Sequence, residues 1–134
     1  MPYILNLFFF SVVSPLVIIP AGWFFSKEIL HFCYGVNFID ASPLFSLLLI
    51  SFFFMITNLV LTQATLAINR EIFYAKITCV AALANIGLNF YLIPAIGAKG
   101  AAIGTIITEG LVMILIGGGI ILWRKKWAPN NEKL

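Results

Sequence analysis

Five side chains stand where polar chemistry is costly: Asn58, Gln63, Asn85, Asn89 and Glu109, each inside an apolar run. A carboxyl in such a setting can carry a proton, pair with a neighbouring amide, or touch a polar cargo. Amides can bond across helices or offer themselves to hydroxyl-bearing substrates. Asn85 and Asn89 are four residues apart and so share a helix face. Asn85 lies nine residues before Pro94, and Glu109 nine after Gly100. If Pro94 and Gly100 mark helix ends, both polar groups sit about 13 Å deep at 1.5 Å rise per residue. That depth is near the middle of a roughly 30 Å hydrocarbon core. The matched depth predicts an interhelical hydrogen bond between Asn85 and Glu109, with proton coupling or substrate contact as the other roles for the carboxyl. Thr57, Asn58, Thr62, Gln63 and Thr65 polarise the second half of another apolar run. They are expected either to bond between helices or to line a wet cavity.

The elements that must hold these groups follow from composition. Of 134 residues, 62% are hydrophobic and 10% charged, and the mean hydropathy is +1.07. A soluble domain carries roughly 25% charge, and a small one leaves much of its surface in water. The solvent for most of this chain is therefore lipid. The expected fold is an all-α integral membrane protein with four transmembrane helices, at about residues 2–25, 43–68, 72–93 and 100–122. An interfacial amphipathic segment over 26–42 and a tail over 123–134 complete a single membrane domain. The first helix should kink at Pro15 and Pro20, with its Phe8-Phe9-Phe10 run against acyl chains. Ser42-Pro43 reads as a cap followed by proline in the first helical turn. The fourth helix should begin after a short turn, Ala95 to Lys99, and loosen at Gly117-Gly118-Gly119. Gly100 and Gly104 offer a flat packing face. Lys76, one turn into the third helix, can snorkel to the surface.

Charge excludes several functions. The net charge is +3 from eight basic and five acidic residues, too few and too scattered for a nucleic-acid surface. Arg70, Lys76, Arg124, Lys125, Lys126 and Lys133 share one predicted side, against Lys27 and Lys99 on the other. Six against two places both termini in the cytoplasm, and Trp123 and Trp127 flank the basic cluster as an interfacial belt. Metal ligands do not cluster around the single histidine, His31, which reads as an interfacial polar residue. Cys33 in an outer loop and Cys79 packed in a span should be too far apart for a disulfide. Catalytic residues, cofactors and metals are not expected. A cleaved leader is disfavoured, since no basic stretch precedes the first apolar run. The chain opens almost inside a span, which suggests a preceding segment.

The run Leu88-Asn89-Phe90-Tyr91-Leu92-Ile93-Pro94, then Gly97, then Gly100 to Thr105, then Thr108-Glu109, resembles a signature of polysaccharide biosynthesis proteins. These are the flippases of O-antigen and other lipid-linked oligosaccharides in the multidrug/oligosaccharidyl-lipid/polysaccharide exporter superfamily. Tyr34-Gly35, Phe38, Ala41 and Leu44 resemble an upstream segment of the same family, and Ala67 to Arg70 its short cytoplasmic turn. Gly104 departs from the alanine usual there. The resemblance spans about residues 30–121. It implies the last four helices of a larger transporter, part of one of two bundles, in the cytoplasmic (inner) membrane. The partners it implies are the bilayer, a lipid-linked oligosaccharide handled by the full-length parent, and missing helices or other copies of the chain. Alternating access needs two bundles around a midplane site, so four helices alone should be inactive. Two rivals remain: a self-contained four-helix, proton-coupled multidrug exporter acting as a dimer, and a non-transporting membrane scaffold.

Overall fold

A computed structural model describes residues Pro2–Trp127. It contains α1 (Pro2–Phe24), α2 (Ser26–Tyr34), a 3-10 turn (Val36–Ala41), α3 (Ser42–Ala67), α4 (Glu71–Ile96) and α5 (Ala98–Trp127). The protein is all-α. Three segments are long and apolar enough to cross a membrane: the 3-10 turn with α3, then α4, and α5 through Trp123. The end of α1 with α2 qualifies as a fourth, bent by 74°. The outward faces are apolar: Phe9, Phe10, Leu16, Val80, Leu83, Ile86, Phe90 and Ile114 are all exposed. The interior holds an unusual share of small and polar side chains, including Ser26, Ser42, Ser46, Ser51, Thr57, Asn58, Thr65 and Thr108. This inverted distribution suits a chain solvated by lipid, where apolar surface needs no burial and polar groups must find partners.

The helices do not pack in chain order. α5 lies along both α4 and α3, and α1 lies along α3, while α3 and α4 touch little. Among the described residues α1 meets neither α4 nor α5. The spatial order is therefore α1, α3, α5, α4. The last three converge on a core of Leu61, Ile77 and Ile116, lined by Phe73, Tyr74, Val112, Met113 and Ile120.

Several boundaries differ from the sequence reading. Pro94 does not end its helix: α4 continues to Ile96. A proline costs a helix one hydrogen bond and a clash with the turn before it, and the last turn tolerates this because only two residues follow. The turn between α4 and α5 shrinks to Gly97, whose φ of 65° and ψ of −143° lie where a side chain is strained. Its N–H donates to Ile93 O at 2.8 Å, and Gly100 N–H to Gly97 O at 2.8 Å. Ser42 is not a helix cap. The 3-10 turn runs directly into α3, Ala41 takes the cap position without a side-chain bond, and Ser42 Oγ lies 2.6 Å from Ser26 Oγ. Pro43 occupies the first turn of α3 as expected.

The α3–α4 turn is a Schellman ending. Asn69 takes a positive φ of 54°, its N–H donates to Leu66 O at 2.9 Å, and Arg70 N–H donates to Thr65 O at 3.1 Å. The Arg70 guanidinium then lies 4.8 Å from the centre of the Trp123 ring, a cation–π contact that ties this turn to the far end of α5. Phe73 meets Trp123 edge to face at 4.6 Å.

α1 runs unbroken through Pro15 and Pro20, with Pro15 fully buried. The sharp change of direction falls at Phe25, between α1 and α2. The interfacial stretch over 26–42 is the amphipathic α2 and the 3-10 turn, divided at Gly35 as its position suggested. Ser26 and Leu30 face inward, while Lys27, Glu28, His31 and Phe32 face out. Gly117 to Gly119 do not loosen α5, which is helical to Trp127. Gly119 is a notch for a ring: a Cβ there would lie 2.7 Å from Phe73 Cζ. Cys33, on α2 rather than in a loop, and Cys79 are both free, and both are exposed. Cys79 therefore faces out of the bundle and does not pack within it. The expected tail over Pro129–Leu134, with Lys133, lies outside the described residues, as do the side chains of Phe8 and of Arg124, Lys125, Lys126 and Trp127.

Candidate functional site: a polar cleft between α3 and α4

The hydroxyls of the spanning helices satisfy themselves. Thr57 Oγ1 donates to Phe53 O at 3.0 Å, Thr65 to Leu61 O at 2.8 Å, Thr78 to Tyr74 O at 2.9 Å and Thr105 to Ala101 O at 3.0 Å. Each reaches back one turn on its own helix, a bond open to short hydroxyl side chains. Thr57 and Thr65 therefore do not bond between helices, despite being fully buried. Amides have four hydrogen-bonding sites, and two of them, Asn58 and Asn85, reach across to α5, while Asn89 bonds Asn85 on its own helix.

Two amide bridges join α5 to its neighbours. On one side, Asn58 Nδ2 donates to Glu109 Oε2 at 2.6 Å and to Glu109 O at 2.9 Å. On the other, Asn89 Nδ2 donates to Asn85 Oδ1 at 2.8 Å, and Asn85 Nδ2 to Thr108 Oγ1 at 3.0 Å. Thr108 in turn bonds Gly104 O at 3.0 Å and Thr105 O at 3.1 Å. The predicted Asn85–Glu109 bond is therefore not formed. Successive helix residues point about 100° apart, so Thr108 serves α4 while Glu109 serves α3. Depth was matched correctly, but the direction around the helix was not.

Glycines set how closely α4 and α5 approach. A Cβ on Gly100 would collide with Leu92 O and lie 2.9 Å from Ile93 N, both main-chain atoms that cannot move aside. A Cβ on Gly104 would lie 2.8 Å from Asn89 Oδ1. That oxygen is buried and has no hydrogen-bond partner, and the same holds for Asn58 Oδ1. Two bare acceptors at mid-depth leave the polar seam only partly satisfied, a costly state where water is scarce.

Between α3 and α4, on the floor provided by α5, lies a cleft of about 590 Å³. Asn58, Thr62, Tyr74, Thr78, Asn85, Thr108 and Glu109 form its polar lining, with apolar walls that include Met55, Leu59, Ala81, Ala82 and Val112. The structure thus brings Asn58, Asn85 and Glu109 to one cavity. Asn89 stands one turn behind Asn85 against Gly104. Gln63 is exposed and is not among the cleft residues. Sequence reading passed over Tyr74 and Thr78. Their spacing from Asn85, at eleven and seven residues, keeps them on its face and would have flagged them. Comparison with known protein families, curated proteins and solved structures finds no match for this chain.

Proposed function

We propose that this protein is part of a membrane transporter, not an enzyme, and that the cleft between α3 and α4 is a section of the path for a polar cargo. One observation carries the reading. In a chain of mean hydropathy +1.07, a carboxyl, two amides, three hydroxyls of threonine and a phenol gather in one cavity whose floor is a spanning helix. A scaffold would gain nothing from leaving the cavity unfilled or from keeping a carboxyl and unpartnered amide acceptors at mid-depth. Ionisable residues inside spans tend to mark such pathways.

The residues that resemble the polysaccharide-flippase signature name the cargo class: a lipid-linked oligosaccharide, whose many hydroxyls suit amide and carboxyl partners. In this reading Asn58, Asn85 and Glu109 contact sugar hydroxyls or couple the motion to protons. Asn89, Gly100 and Gly104 hold α4 and α5 in register. Further helices, or other copies of the chain, complete the two bundles that alternating access requires. The protein sits in the inner membrane, with the α3–α4 turn on the cytoplasmic side with both termini, because basic residues concentrate there.

The test is flipping in membrane vesicles that contain the protein in its native assembly. Protected, fluorescent lipid-linked oligosaccharide should cross at a rate that Asn58→Leu reduces at least tenfold with the protein still inserted. Unchanged flipping with that variant, or with the gene deleted, would remove the proposal.

A further inference from the structure

The α3–α4 cleft is lopsided in charge. Glu109 is the one acid in its lining, and among the described residues no lysine, arginine or histidine joins it there. Lys76, between Tyr74 and Thr78 in sequence, is exposed and stands outside the lining. Successive helix residues point about 100° apart, so it leaves α4 on the side away from those two.

The hydrogen bonds are lopsided in the same sense. Donors along the wall of α5 are largely spent. Asn58 Nδ2 gives both its bonds to Glu109, Asn85 Nδ2 donates to Thr108, and the Thr78 and Thr108 hydroxyls donate to carbonyls of their own helices. Acceptors are not spent. Asn58 is only 6% exposed, yet its Oδ1 has no partner. Glu109 meets Asn58 through Oε2; its Oε1 bonds nothing among the described residues and, unlike Asn58 Oδ1, is not sealed off. A carboxylate has about four acceptor sites, so unused acceptor capacity gathers around one carboxyl with no counter-charge in the cavity. Low-dielectric walls focus the field of such a group. An entering ammonium or hydroxyl finds acceptors there. An entering carboxylate, sulfate or phosphate finds spent donors and a like charge, the kind of mismatch by which sites reject wrong partners.

We infer that Glu109 is a charge filter in the cleft. Its free Oε1 receives the ammonium or hydroxyl of a cationic or neutral sugar, and its charge turns anionic sugars away. The filter rests on the reading of the cleft as a cargo path and narrows the cargo within it.

The charge preference of the cleft can be read without any cargo. In the full chain with Cys33 and Cys79 replaced by serine, Ala82→Cys places a thiol in the cleft lining. Permeabilised membrane vesicles are treated with two methanethiosulfonates of similar size, one bearing a trimethylammonium group and one a sulfonate. Each labelling rate is divided by the rate of that reagent with a free thiol in solution. The cation should then lead by roughly tenfold or more, the size expected of one weakly screened charge several ångströms away. Glu109→Gln keeps an acceptor for Asn58 and removes the charge, so it should cut that lead by roughly fivefold or more. Glu109→Asp keeps the charge and should keep the lead. Equal rates in the parent, a lead that survives Glu109→Gln, or one that Glu109→Asp also abolishes would overturn the filter and leave the cargo path standing. No labelling by either reagent would remove the path, and the filter with it.

Discussion

Asn58 on α3 grips Glu109 on α5 twice with one amide nitrogen, at 2.6 Å to the carboxyl and 2.9 Å to the main-chain carbonyl. The main-chain bond fixes α3 against α5 whatever the side chain of residue 109 does. The side-chain bond is the part that chemistry can change. Glu109→Gln keeps an acceptor for Asn58, so unfolding in a mild-to-denaturing detergent titration should shift little. Glu109→Ala loses it, at about 0.6 to 2 kcal/mol by membrane hydrogen-bond measurements. If flipping survives Glu109→Gln, the carboxyl is structural. If Gln folds but does not transport, its proton or charge takes part.

The glycines should rank by what a methyl would strike. Gly100→Ala meets the main chain of Leu92 and Ile93 and should cost about 1–3 kcal/mol as overpacking. Gly104→Ala meets the tip of Asn89, which can turn away, so its loss should be smaller. Gly117→Ala meets nothing within 4 Å and should be neutral or stabilising by up to about 1 kcal/mol through helix propensity. Unfolding of the three variants checks the order, and a larger loss at Gly117 than at Gly100 would refute the packing assignment.

The single-residue turn makes its own prediction. Gly97 sits at φ 65° and ψ −143° with open space around it. Gly97→Ala should therefore destabilise the α4–α5 hairpin by about 1–3 kcal/mol through backbone strain alone. A neutral result would mean that the turn relaxes to another conformation.

Orientation rests on the basic asymmetry. In a chain with Cys33 and Cys79 replaced by serine, a cysteine at Lys99 should react with an impermeant reagent from outside intact cells. One at Lys126 should react only after permeabilisation. The reverse pattern would invert the topology.

The limits of the sequence are visible in two places. The spans, the amphipathic α2 and its break at Gly35 were legible, because hydropathy and a single glycine determine them locally. The pairing of the polar groups was not. Asn85 and Glu109 do lie at matching depth, but depth says nothing about direction around a helix, and the one-residue step from Thr108 to Glu109 sends them to different neighbours. The same holds for α3 and α4, which follow one another through a tight turn yet are kept apart by α5. The small residues in α5 were legible as a packing face, but that Gly119 would receive Phe73 from α4 depends on a helix crossing that no local pattern records.

The central claim, that the α3–α4 cleft is a path for a polar cargo, is tested most directly by two adjacent positions at nearly one depth. Ala82 lines the cleft, while Leu83 lies outside it and is 65% exposed on the lipid-facing side of α4. Both lie about 17 Å along α4 from Glu71 at 1.5 Å per residue. In the serine-replaced background, Ala82→Cys and Leu83→Cys are each treated with a water-soluble thiosulfonate reagent in sealed vesicles. The cleft account predicts rapid labelling at residue 82 and none at residue 83. Equal labelling at both positions, or none at residue 82, would contradict it.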